Sequence, residues 1–170
     1  MANMIKTFPL RWVVMGVSGC GKSDIGQLLA SARGIPFVEG DAWHTPQNVA
    51  KMAAGIPLTD ADRAAWLATL RDQIAGSAAL VLSCSALKRR YRDVLREADP
   101  GLFFVELDGP RALIEERMRA RTGHFMPTSL LESQLRDLEP LQADERGLRV
   151  AITDTPAAIT HTILASFSDR

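Results

Sequence analysis

Gly16-Val17-Ser18-Gly19-Cys20-Gly21-Lys22-Ser23 fits the spacing G-x-x-x-x-G-K-[ST], in which glycines let the main chain wrap closely enough for several N–H groups to face phosphate oxygens. Its flanks decide its meaning. The apolar run Trp12 to Met15 reads as a buried strand and Ser23 to Ala32 as a helix, so a helix N-terminus is aimed at the same anion. In that context Lys22 neutralises phosphate charge and Ser23 offers its hydroxyl to Mg²⁺. A glycine-rich turn with a chance lysine accounts for neither the hydroxyl nor the two flanking elements together. Cys20 stands at a variable position of the loop. A small side chain packed beneath the backbone is its simplest role, although nearness to phosphate leaves oxidation open.

Short apolar runs alternate with helical periodicity along the rest of the chain. Pro36 to Glu39, Leu80 to Cys84, Phe103 to Leu107 and Arg149 to Thr153 are further strand candidates, making five. Asp60 to Ala75, Lys88 to Ala98, Pro110 to Arg121 and Pro156 to Phe167 carry helix signals, with Pro at or near the first turn in two of them. Successive βα units of this kind predict an α/β fold around a buried five-stranded parallel sheet. The stretch 41–75 is long for a simple crossover, so extra helices are expected there, over a pocket.

The length of 170 residues suits one domain, here taken as 1–170. Hydrophobic residues at 46% and charged residues at 24% exclude disordered, collagen-like and disulfide-scaffold classes. Twenty Lys and Arg balance twenty Asp and Glu, removing the broad positive field that nonspecific nucleic-acid or anionic-membrane binding needs. No nucleic-acid or membrane partner is therefore expected. Cys20 and Cys84 lack metal-ligand spacing and fit free thiols in a reducing cytosol. Neither a signal peptide nor a run of the ~20 apolar residues of a membrane span is visible, so a cytoplasmic location is expected.

A phosphate-binding loop alone does not separate switch, motor and kinase. No Asp-x-x-Gly directly follows a strand candidate, and no Asn-Lys-x-Asp guanine motif is present. Arg117-Met118-Arg119-Ala120-Arg121-Thr122-Gly123-His124-Phe125 instead has the make-up of a lid, at about 117–127. Arginines on a mobile loop can close over a triphosphate, exclude water and place planar cations on the transferring group. Arg117 and Arg121, four apart, share a helix face and can act together, while Gly123 supplies a hinge. For Arg119 the plainer role is a solvated cation complementing the helix dipole.

Asp41, in Gly40-Asp41-Ala42-Trp43-His44, follows the second strand, at the sheet end where α/β folds place ligands. It can cap a helix, or it can orient an attacking hydroxyl and accept its proton, which a loose phosphoryl-transfer transition state asks of a base. His44 can donate to a polyol oxygen or simply pack. Arg63 lies near a helix start, an unfavourable place for a cation, and needs an anionic ligand or an Asp partner such as Asp60. Ser83 to Arg92 puts hydroxyls and then cations at the third strand end. Lys88 and Arg92, four apart, can face the site together and dock a carboxylate, with Arg89 and Arg90 toward solvent.

Taken together these segments closely resemble the gluconate kinases (gluconokinases), relatives of shikimate kinase. The carriers are Gly16 to Ser23, Gly40-Asp41 with His44, Asn48 through Lys51-Met52, Gly55 to Leu58, Asp62-Arg63 with Trp66-Leu67, Cys84 to Lys88, Tyr91-Arg92-Asp93 and Arg121 to Phe125. The resemblance covers nearly the whole chain. It implies a three-layer P-loop kinase fold with a lid and a helical substrate-binding segment, often dimeric. The implied reaction is ATP- and Mg²⁺-dependent phosphorylation of D-gluconate at its terminal hydroxyl.

Carried onto this chain, the resemblance assigns the nucleotide to Gly16, Val17, Ser18, Gly19, Cys20, Gly21, Lys22, Ser23, Arg117 and Arg121, and the metal to Ser23. It gives the substrate Asp41, His44, Arg63, Lys88, Arg92 and His124, and makes Lys22, Asp41 and Arg121 catalytic. Cys20 departs from the Ser or Thr often found at its position. A homodimer is the expected assembly. Shikimate or nucleoside-monophosphate kinases would share the cradle and lid, but shikimate kinases usually show a glycine-rich triplet where this chain has Cys84-Ser85-Ala86. A regulatory module that binds ATP without transferring phosphate is the rival of another class. Adenine contacts are expected near the last strand, around Thr153 to Pro156.

Overall fold

A computed structural model describes residues 7–120 and 128–167. Five strands, β1 (Arg11–Met15), β2 (Phe37–Glu39), β3 (Leu80–Ser83), β4 (Phe103–Asp108) and β5 (Gly147–Ala151), form one sheet in the order β2-β3-β1-β4-β5. Every pairing is parallel. Seven α-helices are seen among the described residues: α1 (Lys22–Arg33), α2 (Pro46–Ala53), α3 (Asp60–Ala75), α4 (Arg89–Arg96), α5 (Arg111–Ala120), α6 (Thr128–Asp137) and α7 (Pro156–Ala165). None of them is long and apolar enough to cross a membrane.

The side-chain alternation of β1 builds two cores. Trp12 and Val14 face one way, into a cluster with Ile25 and Leu29 of α1 and Ile159 and Ile163 of α7. Val13 and Met15 face the other, onto Trp66, Leu67, Leu70 and Ile74 of α3 and Tyr91 and Leu95 of α4. All four β1 residues are fully buried, as expected of a central strand covered by helices on both faces. The result is the three-layer α/β arrangement, with β1 between its neighbours β3 and β4, where the chain's direction of winding reverses. At such a point the crevice outside the strands' carboxyl ends is open to a ligand.

Two elements differ from the sequence expectation. The last strand starts two residues early, at Gly147, because its register against β4 runs from Phe104↔Gly147 to Asp108↔Ala151. It is an edge strand whose residues are mostly exposed, and Arg149 pairs with Glu106 and Asp108 of β4, so hydrophobicity does not mark its start. Helix α6 was not anticipated at all. In the long segment after β2, a 3₁₀ turn (Gly40–Trp43) and α2 supply the extra helical structure expected there. Helix α3 begins with a reciprocal capping box between Thr59 and Asp62.

Arg92 does not join the ligand-facing residues. Its side chain is wholly buried and forms a two-pronged ion pair with Glu145, at 2.7 and 3.0 Å. Its remaining N–H groups donate to the carbonyls of Ala86 (2.9 Å), Leu87 (3.3 Å) and Pro140 (3.4 Å). Arg96 adds a second cation to Glu145 at 2.8 Å. Burial pushes the Glu145 carboxyl up, but the donors from Arg92, the Gln142 main chain and Arg96 outweigh it and hold the group at about 2.

A Glu145→Gln variant leaves Arg92 buried without its counter-charge and should lose roughly 3–5 kcal/mol in denaturant unfolding near neutral pH. Because the folded value lies below the ordinary one, the stabilisation is complete above the unfolded carboxyl's range of about 4.3 and fades as pH falls toward about 2. The gap between wild type and variant should close over that window.

Candidate active site

The loop Gly16 to Ser23 joins β1 to α1. Gly21 caps α1 in the left-handed region, and no side chain occupies the cap, so the first N–H groups of the helix remain available to an anion. Gly19 is needed for space as well as for its φ of +81. A Cβ there would meet Met118 Cγ at 2.6 Å and the Ile114 carbonyl at 3.1 Å, so α5 lies directly on the loop. Cys20 is fully buried beneath it, against Gly16, as its packing role requires. Lys22 Nζ donates to the carbonyls of Gly16 and Val17, each at 3.1 Å. These bonds hold the ammonium at the loop's mouth.

The end of β2 contributes a residue that sequence reasoning did not single out. One carboxylate oxygen of Glu39 accepts from the Ser23 hydroxyl, and the other accepts from Ser83 Oγ at 2.6 Å. The signal was available: Glu39 closes β2 two residues before Asp41. Gly40 between them runs so close to β3 that a Cβ would sit 2.1 Å from the Ser83 carbonyl oxygen. The Gly40 carbonyl in turn accepts from the Trp66 indole at 2.9 Å.

Asp41 emerges from this crossing with its side chain 62% exposed, 3.9 Å from His44 Nε2. The His44 ring stacks on Trp66 at 4.0 Å and its Nδ1 lies 3.5 Å from the Asn48 amide. Burial lowers the His44 pKa; Asp41 opposes the shift and Arg63 adds to it. Burial therefore favours the neutral imidazole. With Nδ1 accepting from Asn48, the ring hydrogen sits on Nε2, on the Asp41 side.

Arg63 is 8% exposed and pairs differently from the expectation. Asp60 is taken by Tyr91, Arg90 and Lys88. Arg63 Nη1 instead donates to the Leu58 carbonyl (2.9 Å) and the Tyr91 hydroxyl (3.1 Å), with Asp137 of α6 at 4.0 Å.

Ser18, Lys22, Asp41, His44, Arg63, Trp66, Ser85 and Leu87 line one cleft, closed on another side by Leu130, Ser133 and Gln134 of α6. Lys88 is not among its lining residues and bonds Asp60 at 3.4 Å. Arg117, on α5, donates to the Ile152 carbonyl at 2.8 Å, just before the stretch expected to meet adenine. Arg121 and His124 lie outside the described residues. Both cysteines are buried and neither forms a disulfide, and burial pushes Cys84 up to about 12, so it is no nucleophile at neutral pH.

A gluconokinase of Gluconobacter oxydans is 47% identical over 159 residues, covering 91% of this chain and 89% of that protein. The chain belongs to the gluconokinase family. A crystal structure of a gluconokinase from Sinorhizobium meliloti 1021 superposes with a TM-score of 0.88 at 52% identity, over 94% of this chain and 92% of that one. Shikimate kinase from Aquifex aeolicus, at 19% identity, TM-score 0.60 and coverage of 92% and 94%, shares the fold. No family model matches the chain. Within this member of the gluconokinase family, the gap at Gly40 leads to a direct expectation. Gly40→Ala should drive the 3₁₀ turn off β3, displace Asp41 and lower any acceptor-dependent kcat/KM by about 100-fold or more, since small misplacements of reacting groups cost that much. Nucleotide affinity, measured by ADP calorimetry, should change far less.

Proposed function

We propose that the protein phosphorylates D-gluconate on its terminal hydroxyl with ATP, giving 6-phosphogluconate and ADP. One observation carries this reading beyond family membership: Lys22 of the phosphate loop and Asp41 and Arg63 of the acceptor side line the same cleft. The loop and the uncapped start of α1 hold the nucleotide's phosphates, and Lys22 turns from its two carbonyls to their oxygens. Arg63 faces the carboxylate end of the acceptor. Asp41 holds the terminal hydroxyl and takes its proton as the new O–P bond forms and the bond to the ADP oxygen breaks. His44, neutral, donates from Nε2 to a polyol oxygen.

The hydroxyl of Ser23 and the carboxylate of Glu39 are hard oxygen donors already in contact, a set that fits Mg²⁺. When bound there, the ion would supply charge neutralisation on the triphosphate. On the family resemblance we further assign Arg117 and Arg121 to a closing lid, His124 to the substrate, one domain to residues 1–170, and a cytoplasmic homodimer to the working enzyme. Lys88 serves the acceptor from the rim, beside Asp60.

A coupled assay of ADP release across gluconate, shikimate and AMP tests the substrate. Gluconate should exceed the other two by orders of magnitude in kcat/KM; equal turnover on all three would remove the assignment. Asp41→Ala should reduce kcat by roughly 10²–10⁴-fold, the range typical of a lost general base, with ADP affinity held within about twofold. Unchanged turnover would exclude Asp41 as the base.

A further inference from the structure

Helix α6 touches three separate walls of the cleft. At its centre, Gln134 meets the phosphate loop: Oε1 accepts from the Ser18 main-chain N–H at 2.7 Å, and Nε2 donates to Ser18 Oγ at 3.1 Å. At its end, Asp137 approaches Arg63 at 4.0 Å. Just beyond, the Glu139 N–H donates to the Leu87 carbonyl at 2.7 Å, and the Glu139 carboxylate accepts from the Arg89 N–H at 2.9 Å. Leu130, Ser133 and Gln134 themselves line the cleft with Ser18, Lys22 and Asp41.

We infer that Gln134 is a positioning residue for phosphoryl transfer, locking α6 to the phosphate loop so that the acceptor wall is complete only when the loop is correctly formed. The inference rests on the reaction proposed above. A carboxamide suits this task because it offers an acceptor and a donor side by side. Ser18 presents the complementary pair, its peptide N–H and its hydroxyl, from within the loop. The two bonds fix both the distance and the rotation of α6 about the contact. Since Leu130 lies one turn earlier and Ser133 directly before Gln134 on the same helix, their placement against the acceptor follows from that fixation. The loop thus aligns the second substrate as well as the nucleotide.

The experiment compares wild type, Gln134→Ala and Ser18→Ala in gluconate-dependent ADP release, with ADP affinity by calorimetry and thermal midpoints. Gln134→Ala should raise the gluconate KM about tenfold, the effect of losing a tenfold-scale contact, and lower kcat, while ADP affinity stays within about twofold. Ser18→Ala removes only the hydroxyl half of the contact and should raise that KM by a smaller factor. The double variant should be no worse than Gln134→Ala alone, the non-additivity expected of two residues in one interaction. If Gln134→Ala fails to fold, the Ser18→Ala KM carries the test.

A loss of ADP affinity equal to the rise in gluconate KM would overturn the inference, because Gln134 would then be supporting the loop alone. So would wild-type kinetics in Gln134→Ala, or additive effects in the double variant. An active wild type beside an unaffected Gln134→Ala removes only this role, whereas a wild type inert on gluconate sinks the substrate assignment and this inference with it.

Discussion

Two strand ends and the start of a helix meet at one carboxylate. Glu39 closes β2, takes the Ser23 hydroxyl at the start of α1 and takes the Ser83 hydroxyl at the end of β3, while Gly40 lets the next turn lie against the Ser83 carbonyl. Everything functional is placed relative to this knot. The phosphate loop is tied through Ser23, the 3₁₀ turn with Asp41 begins at Gly40, and the stretch lining the cleft at Ser85 and Leu87 begins after Ser83. A hydrogen bond to a charged acceptor is about twice as strong as one between neutral groups. Two on one carboxylate set the spacing of the β2 and β3 ends and the start of α1 together.

The cations of the protein divide by what they are given to hold. Arg92, Arg96 and Arg149 sit against carboxylates at 2.7 to 2.8 Å, where they fasten α4 and β5 to the rest. Among the described residues, Lys22 bonds only carbonyl oxygens, at 3.1 Å. Arg63 has a carbonyl, a phenol and a carboxylate no nearer than 4.0 Å. Neutral acceptors hold a cation in place without cancelling its charge. With a net formal charge of zero over the chain, the attraction for an anion is concentrated where those two side chains line the cleft.

The parts legible in the sequence are those whose cause is local. The phosphate loop is a contiguous spacing, β1, β3 and β4 are built on short apolar stretches, and α3 carries its own capping box. The parts that were not legible depend on partners far along the chain. Arg92 looks like a ligand-facing residue four from Lys88 until Glu145, 53 positions away, is known to be its partner. The start of β5 is set by pairing with β4 rather than by its own hydrophobicity. Helix α6 has few fully buried residues of its own, and its location follows from contacts to Ser18, Arg63 and Leu87. Glu39 could have been found from its two-residue spacing to Asp41, which puts both at one strand end.

Arg92 shows how a residue can serve a site without facing it. Ala86, between the cleft-lining Ser85 and Leu87, has a φ of +43, a left-handed conformation that costs a non-glycine residue roughly 1–2 kcal/mol. Such a turn persists only where its surroundings over-determine it. Here the surroundings are the Arg92 guanidinium, which donates to the carbonyls of both Ala86 and Leu87 and is itself held by Glu145. The Ala86 methyl is also buried in the core, which a glycine would forgo. The same stretch then receives α6 through the Leu87 carbonyl, so the ion pair behind the cleft governs the shape of the wall in front of it.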